Sequence, residues 1–127
     1  MPSETPQRFS DSIGLRFTEM ESGYSRGVVE VTDDLKNPHG VLHGGVLYTM
    51  ADTGMGAALY TELGADESCA TIEVKINYLK PVKSGEVVCE TEIVNKGRSV
   101  AYLESELTNG GETVARATGS YSVFTVD

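Results

Sequence analysis

A chain of 127 residues is one domain's worth, long enough to bury a single sizeable core. Its 10 lysines and arginines against 19 aspartates and glutamates give a formal charge of -9. That balance repels polyphosphate backbones and argues against general nucleic-acid binding, though not against a small anionic ligand held by a local basic patch.

Residues 1–11 read as a flexible, polar tail without an apolar signal core, and residues 12–127 as one domain. Ile13, Leu15 and Phe17 alternate with Gly14, Arg16 and Thr18, a strand pattern that Gly23 breaks. A second strand follows over about 25–31, with Gly27, Val29 and Val31 on one face, so the two predict a hairpin. Asp33 to Gly45, rich in Asp, Asn, Pro and Gly, is an ordered loop feeding a helix from about Gly44 to Glu62. That helix is apolar on nearly every face, as a buried helix is. Gly54 and Gly56 each cost it about 1 kcal/mol relative to Ala, which close approach to another backbone would justify.

Four strands follow the helix. Ile72, Val74, Ile76 and Tyr78 alternate with Thr71, Glu73, Lys75 and Asn77, and Pro81 ends that run. Over 86–96, Val87, Cys89, Thr91 and Ile93 oppose Glu86, Glu90 and Glu92; over 99–108, Ala101, Leu103 and Leu107 oppose Glu104 and Glu106. The Asn109-Gly110-Gly111 turn leads into a last strand, 113–124, where Ala115, Ala117 and Gly119 share a face small enough to let a helix lie close. The expected architecture is α+β: one curved antiparallel sheet wrapped around one long buried helix. The side of the helix that the sheet leaves bare calls for a second copy of the chain, so a homodimer is expected from burial. Val41–Leu59, the longest apolar region, holds His43, Asp52 and four glycines and is a poor membrane span. Cys69 and Cys89 have no CxxC spacing and are expected as free thiols in a reducing compartment, hence a soluble cytoplasmic protein.

The chemistry concentrates between Asn37 and Asp52. Gly44 and Gly45 open the helix, where unpaired N–H groups and the helix dipole could polarise a substrate carbonyl, or where two glycines merely permit a tight turn. Asp52 is the only charged residue between His43 and Glu62; such a carboxylate needs a partner or a task, as general base, as nucleophile, or as a structural acceptor for a neighbouring loop. His43 at the helix start reads first as a donor bracing the loop, and His39 as a loop residue. Asn37 could hold a water or a substrate carbonyl oxygen, or make an Asx-type turn. Lys75, Lys80, Lys83, Lys96 and Arg98 hold half of the basic charge and form either an anion-binding patch or a scatter of solvated side chains. A nucleophile elbow, P-loop, dinucleotide fingerprint and metal-ligand cluster are all missing, so no metal and no cofactor are expected.

The run Asn37-x-x-Gly40-x-x-His43-Gly44-Gly45 with Asp52 seven residues on resembles the hotdog thioesterases, and within them the phenylacetate-degradation (PaaI-like) branch. Thr71-Ile-Glu-Val-Lys-Ile-Asn77-Tyr78-Leu-Lys-Pro81, Gly85-Glu86 and Lys96-Gly97-Arg98-Ser99 continue the likeness, which spans about residues 12–124. The resemblance implies a hotdog fold, a homodimer as minimal unit and commonly a homotetramer, and hydrolysis of acyl-CoA to free acid and CoA. It implies Asp52 as catalytic carboxylate, Gly44 as backbone donor to the carbonyl, Asn37 orienting nucleophile or water, His43 bracing the site and Thr71 positioning water. It also implies Lys96, Gly97 and Arg98 near the CoA nucleotide. Tyr48, Met55 and Leu59 on the helix would line the acyl pocket together with the partner chain and Gly45, for an aromatic or a short or medium aliphatic group. Two other roles compete: a hotdog dehydratase acting on hydroxyacyl thioesters, and a non-catalytic acyl-CoA-binding protein.

Overall fold

The computed structural model of the chain describes residues 8–126. Six strands form one antiparallel sheet: β1 (Arg16–Glu21), β2 (Tyr24–Glu30), β3 (Glu67–Tyr78), β4 (Glu86–Lys96), β5 (Val100–Asn109) and β6 (Glu112–Thr125). Their spatial order is β1-β2-β4-β5-β6-β3. The two strands that precede and the one that follows the main helix α2 (Gly44–Tyr60) therefore sit at opposite sides of the sheet, and α2 makes the crossing between them. The sheet wraps the helix as the hotdog resemblance implies.

The start of the chain departs from expectation. Residues 8–11, expected within the tail, form a short helix α1 together with Ser12 (Arg8–Ser12), and residues 1–7 lie outside the described residues. Ile13 and Leu15 donate from their backbones to Ser10, and Gly14 turns at φ 76, so the chain leaves α1 in a tight turn and the first strand starts at Arg16 rather than Ile13. Leu15 reaches the core all the same.

The later strands alternate as their sequences predict. Val87, Cys89, Thr91, Ala101, Leu103, Leu107, Ala115 and Ala117 all face the helix and are buried. Two close approaches set how near α2 lies. Gly119 on β6 presents no side chain where the Met55 sulfur rests, and a Cβ added there would overlap it. Gly54 on the helix sits over a row of hydroxyls that crosses three strands, Ser25, Thr91 and Ser105, paired in register. A Cβ on Gly54 would stand 3.0 Å from Thr91 Oγ1. The backbone approach expected of Gly54 is thus an approach to side-chain hydroxyls, and a Cβ added at Gly56 would meet no other element within 4 Å among the described residues. The buried hydroxyls are satisfied: Ser25 donates to the Gly54 carbonyl at 2.7 Å, and Thr91 and Ser105 lie 2.7 Å apart. Cys89 and Cys69 are free thiols, and burial pushes the Cys89 thiol up to about 11.

Strand β3 corrects the sequence reading. Its register against β6 pairs Thr71 with Tyr121 and then Glu73 with Ser120, so Ile72 is an extra residue in a β-bulge. The bulge resets the alternation. Val74, Ile76 and Tyr78 keep the helix side as predicted, but Thr71 joins them there, and Ile72 turns out to solvent, 58% exposed.

The fit at Gly119 gives a stability test. Gly119→Val drives two methyls into the Met55 site in a close-packed core and is expected to destabilise the fold by about 1–3 kcal/mol. Urea unfolding should show a lower midpoint at unchanged slope.

Candidate active site

The helix is not covered on every side. Its sheet-facing residues Met50, Ala51, Met55, Ala57, Ala58 and Leu59 are fully buried, whereas Gly45, Tyr48, Thr49, Asp52, Gly56 and Tyr60 form a stripe that is open or only half-covered. Their spacing of three or four residues is that of one helix face. Asp52 sits in the middle of this stripe, half-buried.

Asp52 is held from the sheet. Thr71 Oγ1 donates to Asp52 Oδ1 at 2.9 Å, which the bulge at Ile72 makes possible by turning Thr71 inward. The Tyr121 hydroxyl on β6 contacts the same Oδ1 and also the Asp52 main-chain oxygen at 2.7 Å. Burial, and then the hydrogen bond to Asp52, hold the Tyr121 phenol well above the ordinary tyrosine range. Tyr121 escaped the reading of the sequence. The one signal for it is its parity: it continues the helix-facing series Ala115, Ala117, Gly119 with a large polar-tipped ring where small residues precede it.

The helix start is built by its own loop. Asn37 Oδ1 accepts from the His39 N–H at 2.9 Å and the Val41 N–H at 3.4 Å, an Asx-type arrangement, and the Asn37 N–H donates to the Val41 carbonyl. Its side-chain amide N–H groups stay unengaged among the described residues. His43 is the N-cap, and its Nδ1 accepts from the Gly45 N–H at 2.8 Å, so it braces the helix as an acceptor rather than as the donor expected. This uses up the Gly45 N–H and leaves the Gly44 N–H without a partner among the described residues. Gly44 is backed by Tyr78, whose hydroxyl donates to the Gly44 carbonyl at 2.9 Å and whose ring lies 3.1 Å from where a Cβ would be. An apolar cleft of about 310 Å³ opens beside it, lined by Val41, Leu42, Leu47, Tyr78, Pro81 and Val82. Tyr48 points the same way, its hydroxyl 3.4 Å from the Val74 carbonyl. Gly44 beside Tyr78, Tyr48 beside Val74 and Asp52 beside Thr71 run in opposite chain directions, so α2 lies antiparallel along the inner side of β3.

The basic residues between 75 and 98 do not form one patch in a single chain. Lys80 follows the Tyr78–Ala115 end of the sheet and pairs with Glu112 at 2.6 Å. Lys96 belongs to the opposite end, in a register row that runs Lys96, Ala101, Tyr121, Thr71 across four strands. At about 4.8 Å per strand, Lys96 stands roughly 14 Å from Thr71. Lys96 and Arg98 make no ion pair among the described residues, and Gly97, between them, turns β4 toward β5. Among those residues no three His, Cys, Asp or Glu gather as a metal site would require, and no helix is long and apolar enough to cross a membrane.

A family model described as the thioesterase superfamily matches residues 39–116. A Pseudomonas aeruginosa protein of solved structure superposes at TM-score 0.92, with 30% identity, over 97% of this chain and 100% of its own. An N33D variant of the phenylacetic acid degradation protein PaaI of Thermus thermophilus superposes at TM-score 0.83, with 28% identity, over 90% of this chain and 96% of its own. The 1,4-dihydroxy-2-naphthoyl-CoA hydrolase of Listeria monocytogenes is 28% identical over 80% of this chain and 83% of its own length.

Proposed function

The chain belongs to the thioesterase superfamily, in its PaaI-like hotdog branch, and is a thioester hydrolase; from that premise we propose that it hydrolyses an acyl-CoA to free acid and CoA, with Asp52 as its catalytic carboxylate. The observation that carries this reading is Asp52 itself, a carboxylate on the open face of an otherwise apolar helix, fastened by Thr71 and Tyr121 at one oxygen. The kinship to a hydrolase of an aromatic acyl-CoA supports CoA as the carrier. The acyl group is aromatic or short to medium aliphatic, and the cleft beside Gly44 suits an apolar chain of that size. Catalysis needs no metal and no cofactor beyond the CoA of the substrate, and two free thiols suit a reducing cytoplasm.

The chemistry follows from the groups at hand. The Gly44 N–H, at the positive end of α2, donates to the thioester oxygen and stabilises the oxyanion that develops there. The Asn37 amide N–H groups can orient the attacking water or the carbonyl, while His43 keeps the helix start in shape. Asp52 takes the proton as water adds to the acyl carbon, the C–S bond breaks, and the proton passes to the departing thiolate; direct attack by the carboxylate would instead form an anhydride that water then opens. Loss of the carboxylate in the isosteric Asp52→Asn is expected to lower kcat by roughly a hundredfold or more with the fold intact. Thiol release from benzoyl-CoA and hexanoyl-CoA measures it; enoyl product without thiol release would instead mark a dehydratase, and tight binding without turnover a carrier or sensor.

Gly44 and Asp52 cannot serve one carbonyl from one chain. They are eight residues apart on α2, about 12 Å along the axis at 1.5 Å per residue. A carbonyl bonded to the Gly44 N–H lies about 3 Å from it and leaves Asp52 out of reach. Two α2 helices packed antiparallel about a two-fold axis bring Gly44 of one chain to Asp52 of the other. The open stripe on α2 supports this dimer, as does β3, a 12-residue strand whose outer side has no partner strand among the described residues. Asn37, Gly44, Gly45 and Tyr48 would then meet Asp52 and Thr71 of the partner chain, and pairs of dimers could build a tetramer. Unfolding and refolding Asn37→Ala with Asp52→Asn should return about a quarter of wild-type activity, because each mixed dimer keeps one intact site. Mixed dimers of proven composition that stay inactive would confine the site to one chain.

Lys96 and Arg98, at the Asp52 end of the sheet and without an ion-pair partner among the described residues, are the proposed contacts for the CoA phosphates. Reversing both charges is expected to raise KM and flatten its dependence on salt while kcat holds. Initial rates across a range of ionic strength read this directly.

A further inference from the structure

The two oxygens of the Asp52 carboxylate are treated differently. Oδ1 receives both Thr71, at 2.9 Å, and the Tyr121 hydroxyl; Oδ2 accepts nothing among the described residues. The two donors are not equivalent either. Thr71 is exposed on an edge strand, whereas Tyr121 is 2% exposed and embedded in the core cluster with Ala117 and Val123. A ring so packed cannot swing aside without opening the core, so its hydroxyl is the fixed point against which the carboxylate turns. The phenol has a single proton and two acceptors within reach, Oδ1 and the Asp52 main-chain oxygen at 2.7 Å. The high pKa that burial imposes keeps that proton in place, so Tyr121 stays a donor.

We infer that Tyr121 is the positioning residue of this site: it pins Asp52 Oδ1 and thereby makes Oδ2 the atom that meets the water or the acyl carbon. The inference rests on the reading of Asp52 as the catalytic carboxylate. It concerns a residue beyond the segment that matches the superfamily, which ends at position 116. The two acceptors give the hydroxyl a second use. When Oδ2 takes the proton of the attacking water, Oδ1 becomes the poorer acceptor, and the phenol proton can turn to the main-chain oxygen with no heavy atom moving. When that proton leaves with the thiolate, the phenol turns back. No proton is gained or lost by Tyr121 over the cycle.

Tyr121→Phe removes the hydroxyl and keeps the ring. Its expected effect is a fall in kcat of about ten- to a hundredfold, the range for one hydrogen bond to a charged group, with KM unchanged. A general loosening of the site would move KM as well. Tyr24→Phe is the control: it removes a hydroxyl bonded to Glu90 on the outer side of the sheet, at 2.6 Å, and should leave both constants as they are. Benzoyl-CoA and hexanoyl-CoA serve as substrates, with Asp52→Asn run beside the others. If Asp52→Asn is inactive while Tyr121→Phe keeps wild-type kcat, the inference fails alone. If the wild type turns over neither substrate, or Asp52→Asn turns over normally, the underlying reading fails and takes the inference with it. Should Tyr121→Phe not fold, 3-fluorotyrosine at position 121 keeps the hydroxyl and reports on it. Its fluorine resonance should move when Asp52→Asn is introduced, and an unmoved resonance would overturn the contact.

Discussion

Everything in this structure depends on how closely α2 can lie on the sheet. Protein interiors are close-packed, and at two tight contacts between helix and sheet a glycine stands where a side chain would crowd its neighbour. Gly119 makes room for Met55, and Gly54 settles on the hydroxyls of Ser25 and Thr91. Had either contact been wider, the Tyr121 hydroxyl would fall short of Asp52 on the helix, and Thr71 with it. The polar row under Gly54 also fixes the helix along its own axis, because Ser25 must find the Gly54 carbonyl to avoid an unsatisfied buried hydroxyl.

That closeness is what makes a carboxylate on this helix tolerable. Asp is a poor residue for a helix interior, and desolvating its charge is costly without donors. Two hydroxyl donors on one oxygen offset part of that cost, and the other oxygen has no donor among the described residues. For the role proposed for Asp52, hydroxyls suit better than a lysine or arginine would, since a neighbouring cation would weaken the carboxylate as a base or nucleophile. At the other end of the same helix face, His43 takes the Gly45 N–H and no group takes the Gly44 N–H among the described residues. The result is one open donor and one open acceptor, two helical turns apart, on the one side of α2 that the sheet leaves bare. On the proposed reading these are the two halves of a thioester-hydrolysing site, too far apart in one chain to act on one bond, and that distance is the physical argument for the proposed pairing of two chains.

Much of this was legible in the sequence because its rules are local. The apolar density of Val46–Leu59, the alternation in 86–96 and 99–108, and the small face Ala115-Ala117-Gly119 each follow from period and residue size, and each stands in the structure. Asp52 was conspicuous as the lone charge in an apolar helix, and the Asn37…His43-Gly44-Gly45 run as the loop that starts it. What the chain could not disclose locally depended on its pairing partner. The alternation of β3 reads cleanly through Ile72, yet the register against β6 inserts a bulge there, which sends Ile72 to solvent and Thr71 to Asp52. A bulge is decided by which residues of two distant strands must face each other, and no period within one strand encodes it. The same holds for the basic residues from Lys75 to Arg98: close in sequence, they are sent to opposite ends of the sheet by antiparallel pairing. It holds for Tyr121 as well, 69 residues from the carboxylate it touches. The sequence by itself determined the elements, their buried faces and the acidic residue that had to have a purpose. Only the tertiary structure decided which hydroxyls reach that acid, because contact across the fold depends on strand register and on the distance between helix and sheet.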